Sequence, residues 1–229
     1  MVDQPNSTAT KTNAGKITLS FILVIALFLI CLGGVFAIAD MIFEDNNLVF
    51  DMKVFDWIRP HINPANTRMM LAATFFGSQV FLLPANLLLI GIFYFVKKLR
   101  KYSWKIAIVA ITSTIVLFSL KFLLERQRPL VPLIAKAHGY SFPSGHTFTS
   151  VTFFGMLCYI VYRSDLTNWI KWVLIICMTV MTLMIGFSRI YLSLHYATDV
   201  IAGFCLGVIW LLLSKWVLVK SPLAYLQRR

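Results

Sequence analysis

His195 and Asp199 stand four residues apart in the segment SRIYLSLHYATD, residues 188–199. On a helix that spacing puts two side chains on one face. A carboxylate beside an imidazole holds one ring nitrogen protonated and leaves the other lone pair free to act as a nucleophile. Arg189 lies on the approach to the same helix. A second segment, SFPSGHT at 141–147, reads as the start of a helix, with Ser144 as its N-cap and Gly145 admitting close approach of a ligand to the backbone. Free N–H groups at such a helix start favour an anion, and His146 projects from the first turn. The third, KFLLERQRP at 121–129, puts Lys121 and Arg128 seven residues apart. As two helical turns, that is one face with the cations about 10 Å apart along the axis. Pro129 disfavours helix at the residue before it, so this helix is expected to end near Arg128. Each segment alone also has a plain structural explanation: a His–Asp hydrogen bond, a cap and turn, and a snorkelling basic cluster in which Glu125 pairs with Lys121.

The elements that must position these residues are apolar. Of 229 residues, 59% are hydrophobic and only 13% charged, whereas soluble domains run near 45–50% and 25%. The excess lies in six long runs, at about residues 17–39, 69–96, 106–124, 147–162, 169–187 and 198–219. A helix needs about 20 apolar residues to cross the hydrocarbon core, so an all-α, six-span membrane protein is expected. Pro84 is expected to kink the second run. The first ends in the cleavage-like Ala37-Ile38-Ala39, but it exceeds the 7–15 residues of a leader's apolar region, so it is read as a retained span. Residues 1–16 read as a disordered tail, 17–220 as the membrane domain and 221–229 as a second tail.

Six spans put both termini on one side. With that side cytoplasmic, thirteen Lys and Arg fall inside and eight outside, while only two of the nine acidic residues are inside. Basic residues favour the cytoplasm, so both termini are expected there. The net charge of +12 is thus a topology signal rather than a nucleic-acid surface. All three polar segments then fall at the outer face. The outer segment 40–68 carries Leu48, Met52, Phe55 and Ile58 at helical spacing, consistent with a short interfacial helix or an ordinary packed loop. Cys31, Cys158, Cys177 and Cys205 form no CxxC pair and read as small buried side chains.

Taken together, Lys121, Arg128 and Pro129, then Pro143, Ser144, Gly145 and His146, then Ser188, Arg189, His195 and Asp199 resemble the three motifs of the phosphatidic acid phosphatase type 2 superfamily. The resemblance covers residues 121–199 by motif and most of the chain by its helical plan. It implies that His195 attacks phosphorus to form a phosphohistidine, that Asp199 orients it, and that His146 protonates the leaving oxygen and then activates water. Lys121, Arg128, Arg189, Ser144 and the Gly145 backbone would hold the phosphoryl oxygens, with Pro129, Pro143 and Ser188 supporting. It implies no metal and no cofactor, and no carboxylate cluster in the chain resembles a Mg²⁺ site. His61 and His138 match no motif and read as loop residues.

The resemblance implies a lipid phosphate or lipid diphosphate as substrate and a bacterial plasma membrane as location, with the site facing the periplasm or exterior. Undecaprenyl diphosphate, phosphatidylglycerol phosphate, phosphatidic acid and lipid A phosphates all remain open. So do a phosphotransferase using the same phosphohistidine and a non-catalytic lipid-binding membrane protein. A haloperoxidase, soluble among the relatives, is disfavoured by the six spans.

Overall fold

A computed structural model describes residues 7–43, 48–97, 99–134 and 138–220; residues 1–6 of the expected N-terminal tail and all of the C-terminal tail 221–229 lie outside them. Among the described residues the chain is helical throughout, with no strand. The helices are α1 (Ser7–Phe43), α2 (Val49–Ile58), α3 (Pro64–Phe76), α4 (Gln79–Phe95), α5 (Arg100–Leu124), α6 (Gly145–Tyr162), α7 (Asn168–Tyr191) and α8 (Ala197–Lys220), with a 3₁₀ turn at Arg59–His61. In lipid every backbone polar group must be satisfied within its own segment, which is what long apolar helices achieve. Helix α1 starts at Ser7, inside the stretch read as a tail.

Five stretches are long and apolar enough to cross a membrane: Phe21–Phe43, Pro64–Phe95, Arg100–Leu124, Asn168–Tyr191 and Ala197–Lys215. Helix α6 is the exception. It packs against α4, α5, α7 and α8, so it is the interior helix of the bundle. Its early turns carry His146, Thr147, Thr149, Ser150 and Thr152, and that polarity keeps it out of the apolar set.

Two expectations about local structure are corrected. The long second run is divided at Gly77 and Ser78, between α3 and α4, and not at Pro84, which lies inside α4. The Ser78 hydroxyl accepts from the Phe81 N–H and starts the new helix. The break is closely surrounded: a Cβ at Gly77 would stand 2.4 Å from Ile185 Cγ2, 3.0 Å from Ser150 Oγ and 3.4 Å from His146 Cδ2. Helix α5 ends at Leu124, not near Arg128, because Glu125 adopts φ 43° in the left-handed region that closes helices. Lys121 and Arg128 therefore do not share a helical face. Lys121 is on the last turn of α5 and Arg128 on the extended segment beyond it.

Helix α8 lies close against α6. A Cβ at Gly203 would be 3.0 Å from the Ser144 carbonyl oxygen and 3.1 Å from Thr147 Cβ. Small residues give such close helix contacts in membranes, where apolar burial alone does not drive association. The outcome is one end of the bundle at which the α5 C-terminus, the α6 N-terminus, the α7 C-terminus and the α8 N-terminus meet, with α2 beside them.

Candidate active site

At that end the bundle buries a polar cluster. Ser141, Ser144, Thr147, Ser188 and Asp199 are inaccessible, and His195 is 2% and Arg189 5% exposed. Polar groups so buried persist only when they are paired, with protein or with ligand.

His195 precedes α8 in a turn where Ser193 has φ 53°, so the His–Asp pair does not lie on one helical face as the spacing suggests. Asp199 sits in the first turn of α8, and its Oδ2 accepts from the Tyr196 N–H at 2.9 Å, a reciprocal cap of its own helix. The same Oδ2 accepts from the Ser141 hydroxyl and lies 3.5 Å from His195 Nδ1. On the other side of the ring, Nε2 is 3.1 Å from Arg128 Nη1. A guanidinium has only donors, so Nε2 is the acceptor and the proton is on Nδ1, toward Asp199. Burial pushes the His195 pKa down to about 4, with the Asp199 carboxylate opposing and Arg128 and Arg189 adding to the shift. At neutral pH the ring is thus uncharged, with its Nε2 lone pair directed at Arg128.

Those cations are held by backbone carbonyls. Lys121 Nζ donates to the Tyr140 carbonyl at 2.6 Å. Arg128 donates from Nε to Gly139 O at 2.8 Å, from Nη1 to Leu194 O at 2.8 Å and from Nη2 to His138 O at 3.3 Å. Gly139 has φ 78°, a conformation glycine adopts without penalty, and this turns its carbonyl toward Arg128. Glu125, spaced to meet Lys121 on a helix, instead faces the Tyr140 hydroxyl. Burial lowers the Arg128 pKa and Asp199 partly restores it.

Arg189 projects from the last turn of α7 and donates from Nη1 to Thr74 Oγ1 at 2.7 Å. Its Nε is buried with no hydrogen-bond partner among the described residues. An unpaired buried guanidinium N–H is costly, and a bound anion is the natural acceptor. Ser144 occupies the N-cap position of α6, but its side chain makes no cap bond to the backbone and instead accepts from Thr147 Oγ1 at 2.9 Å. Its own N–H donates to the Asp199 carbonyl at 3.0 Å, which locks the α6 start to α8. Gly145 lies at that start, 3.8 Å in Cβ distance from Lys121 Cε. His146, on the same turn, is in electrostatic reach of Arg189, His195, Arg128 and Lys121. Pro143 follows Phe142 through a cis peptide and is buried, Pro129 continues the extended segment after Arg128, and Ser188 Oγ donates back to the Ile185 carbonyl. His61 Nδ1 stands 3.0 Å from the Trp57 carbonyl, away from the cluster. His138 contributes only its carbonyl.

Three participants have no sequence signal of their own. The 138–140 carbonyls act through backbone. Gly77 acts by lacking a side chain. Arg126, inside the first motif, carries no distinguishing mark among the charges of KFLLERQRP, yet it alone of them is buried and bonded to Asp199.

Alongside the cluster runs an apolar groove of about 600 Å³ between α4, α5 and α6, lined by Leu82, Asn86, Ser113, Leu117 and Phe153 among others. Its Leu117 wall also touches the Gly145 position, so the groove opens next to the α6 start.

Residues 101–222 match the model of the PAP2 superfamily. A Bacillus subtilis protein, phosphatidylglycerophosphatase B, is 31% identical over 158 residues, spanning 66% of this chain and 75% of that protein. The crystal structure of a transmembrane PAP2-type phosphatidylglycerolphosphate phosphatase from Bacillus subtilis superposes with TM-score 0.74 at 27% identity, over 84% of this chain and 94% of that one. That of Aquifex aeolicus LpxE shares the fold at TM-score 0.56 and 24% identity, over 72% of this chain and 94% of that one. The chain belongs to the PAP2 superfamily and is an integral membrane phosphatase.

Proposed function

We propose that the protein hydrolyses a lipid phosphate or lipid diphosphate through a phosphohistidine at His195. The observation that carries the mechanism is the ring's setting: Nδ1 backed by Asp199 at 3.5 Å and Nε2 facing Arg128 at 3.1 Å. The Nε2 lone pair attacks phosphorus while the phosphorus–oxygen bond to the lipid breaks and its electrons pass to the leaving oxygen. His146 gives that oxygen a proton. The charge arising on the imidazole is balanced by Asp199, as in other His–carboxylate pairs. Water then attacks phosphorus, loses a proton to His146, and the phosphorus–nitrogen electrons return to Nε2. Lys121, Arg128, Arg189, Ser144 and the Gly145 N–H serve the three phosphoryl oxygens, where positioned charge does most of the work in phosphoryl transfer.

The apolar groove beside Gly145 supports a lipid substrate, since a chain lying between α4 and α5 keeps its head group at the cluster. A phosphatidylglycerol phosphate is the substrate class named for the Bacillus subtilis relatives, which makes it the first to try. The topology that fits is six crossings, with α3 and α4 counting as one, α6 as the interior crossing and both termini cytoplasmic. Lys97, Arg100, Lys101, Arg163, Lys171 and Lys215 all lie at the end opposite the cluster, as the preference of basic residues for the cytoplasm requires. In a bacterial plasma membrane the site then faces the periplasm or exterior.

The test is phosphate release by the detergent-purified chain in EDTA, from phosphatidylglycerol phosphate, phosphatidic acid, an undecaprenyl diphosphate and soluble glycerol phosphate. Release is expected from long-chain lipids, to fall at least about 10³-fold in His195→Ala. His146→Ala is expected to cost a monoester more than the diphosphate, whose leaving group needs less protonation. Failure of the wild-type chain to act on any lipid overturns the reading, as does full activity in His195→Ala. Release only in the presence of a second lipid alcohol would favour a phosphotransferase.

A further inference from the structure

Asp51 lies on α2, 144 residues before His195 in sequence, and belongs to none of the three motifs. It is inaccessible to solvent. Its Oδ1 accepts from the Thr198 N–H at 2.9 Å, and its Oδ2 accepts from Thr198 Oγ1 at 2.7 Å and from Arg126 Nη2 at 2.8 Å. The other arm of the same guanidinium, Nη1, donates to Asp199 Oδ1 and to Thr198 Oγ1. Arg126 is 7% exposed and lies over the Tyr196 ring, 4.2 Å from its centroid. The arrangement is a buried Asp51–Arg126–Asp199 chain whose far end is the carboxylate behind His195.

We propose that Asp51, acting through Arg126, is a positioning residue for Asp199, so that the short helix α2 completes the active site. The inference rests on the phosphohistidine reading above for its functional meaning.

The reason is one of charge and of geometry. A lone arginine paired with Asp199 would neutralise it, leaving nothing to stabilise the positive imidazole formed on phosphoryl transfer. Asp51 supplies a second negative charge, so the three groups sum to −1 beside His195. It also holds Nη2 and so fixes the rotation of the guanidinium about its plane. With Oδ1 of Asp199 taken by Arg126, Oδ2 is the oxygen that meets His195 Nδ1, Ser141 and the Tyr196 N–H. Groups that orient the ligands of metal sites at one remove change affinity or activity about 10–100-fold, and an effect of that order is expected for this arrangement. The pattern of contacts also argues against a purely local role for Asp51. It sits in the first turn of α2, where a carboxylate would ordinarily serve its own helix. Here both its oxygens are spent on α8 and on Arg126.

The experiment compares the full-length protein with Asp51→Asn, Arg126→Lys and Asp56→Asn in lipid phosphate hydrolysis. It adds ¹⁵N spectra of labelled histidine, in which His195 is assigned by its loss in His195→Ala. Asp51→Asn can still accept from Thr198 but loses the charge and meets Arg126 with an amide. Arg126→Lys keeps the cluster's charge and loses the fork. Both are expected to lower kcat by about 10–100-fold with KM changed less than about threefold, and to shift His195 from the Nδ1–H tautomer to a mixture. Asp56 is exposed on the same helix, paired with Arg59 at 3.3 Å, and its variant is expected to behave as wild type. A kcat for Asp51→Asn within twofold of wild type, or an unchanged His195 tautomer in that variant, overturns the proposal. A wild-type protein that releases no phosphate would instead sink the functional reading, while the tautomer comparison would still decide the positioning role.

Discussion

At the residue scale the reactivity of His195 depends on a ring held neutral. Burial lowers its pKa to about 4, against an ordinary 6.5. The sign is clear for a nucleophile: above pH 4 the lone pair is free, and below it the ring protonates and attack stops. The rate of phosphohistidine formation from a lipid diphosphate, a substrate that asks little of His146, is therefore expected to hold from pH 7 to about pH 5 and to fall below about pH 4. Rapid-quench labelling with a ³²P substrate measures it. A fall centred near 6.5 would mean that His195 titrates as an exposed histidine. The types and spacing of Lys121, Arg128, Ser144, Gly145, His146, Arg189, His195 and Asp199 were readable from the chain. Arg126 and Asp51 were not. Their partners lie 73 and 75 residues apart for Arg126, and 147 for Asp51 and Thr198, and no local pattern marks pairs at such separations.

At the element scale the divided second run matters most. The α3–α4 break brings Gly77 against Ile185, Ser150 and His146, and a methyl group there has no room. Gly77→Ala is expected to push α3 away from α7, loosening the Thr74–Arg189 bond and the seat of His146. Overpacking of this kind costs about 1–3 kcal/mol. The measurable outcome is a lower melting temperature and an activity loss of about tenfold or more; a Gly77→Ala protein with wild-type kcat and melting temperature would show that the contact yields freely. Read along the chain, Pro84 is the residue expected to kink this run, because proline removes a helix hydrogen bond. Helix α4 nonetheless continues through Pro84, its sixth residue, while the close neighbours of Gly77 come from α6 and α7 and are invisible along the chain. For the same reason the end of α5 was misplaced. Pro129 disfavours helix at Arg128, but the left-handed Glu125 ends it earlier, where the chain turns and Arg126 reaches α8.

At the scale of the whole molecule, the polar cluster lies at one end of the helical bundle and Lys97, Arg100, Lys101, Arg163, Lys171 and Lys215 lie at the other. The proposed topology makes a direct prediction. Gln127 is exposed at the cluster end and Arg163 at the other. In a chain with Cys31, Cys158, Cys177 and Cys205 replaced, Gln127→Cys is expected to react with a membrane-impermeant maleimide in intact cells. Arg163→Cys is expected to react only after the membrane is opened. Reversal of the two would invert the orientation and put the site at the cytoplasmic face.

The chain by itself determined the solvent, the helical class, the basic asymmetry and the three motifs, because each is a property of composition or of residues within about ten positions of one another. Tertiary structure alone decided the rest. The tautomer of His195 follows from an arginine and an aspartate on opposite sides of its ring. The division of α3 from α4 goes with packing against α6 and α7. The buried pairing of Asp51 on α2 with Arg126 and with α8 depends on helices distant in sequence meeting at one end. Local propensity records what a segment can form. Which oxygen of Asp199 faces His195 is a matter of contacts made across the bundle, and only the folded chain sets those.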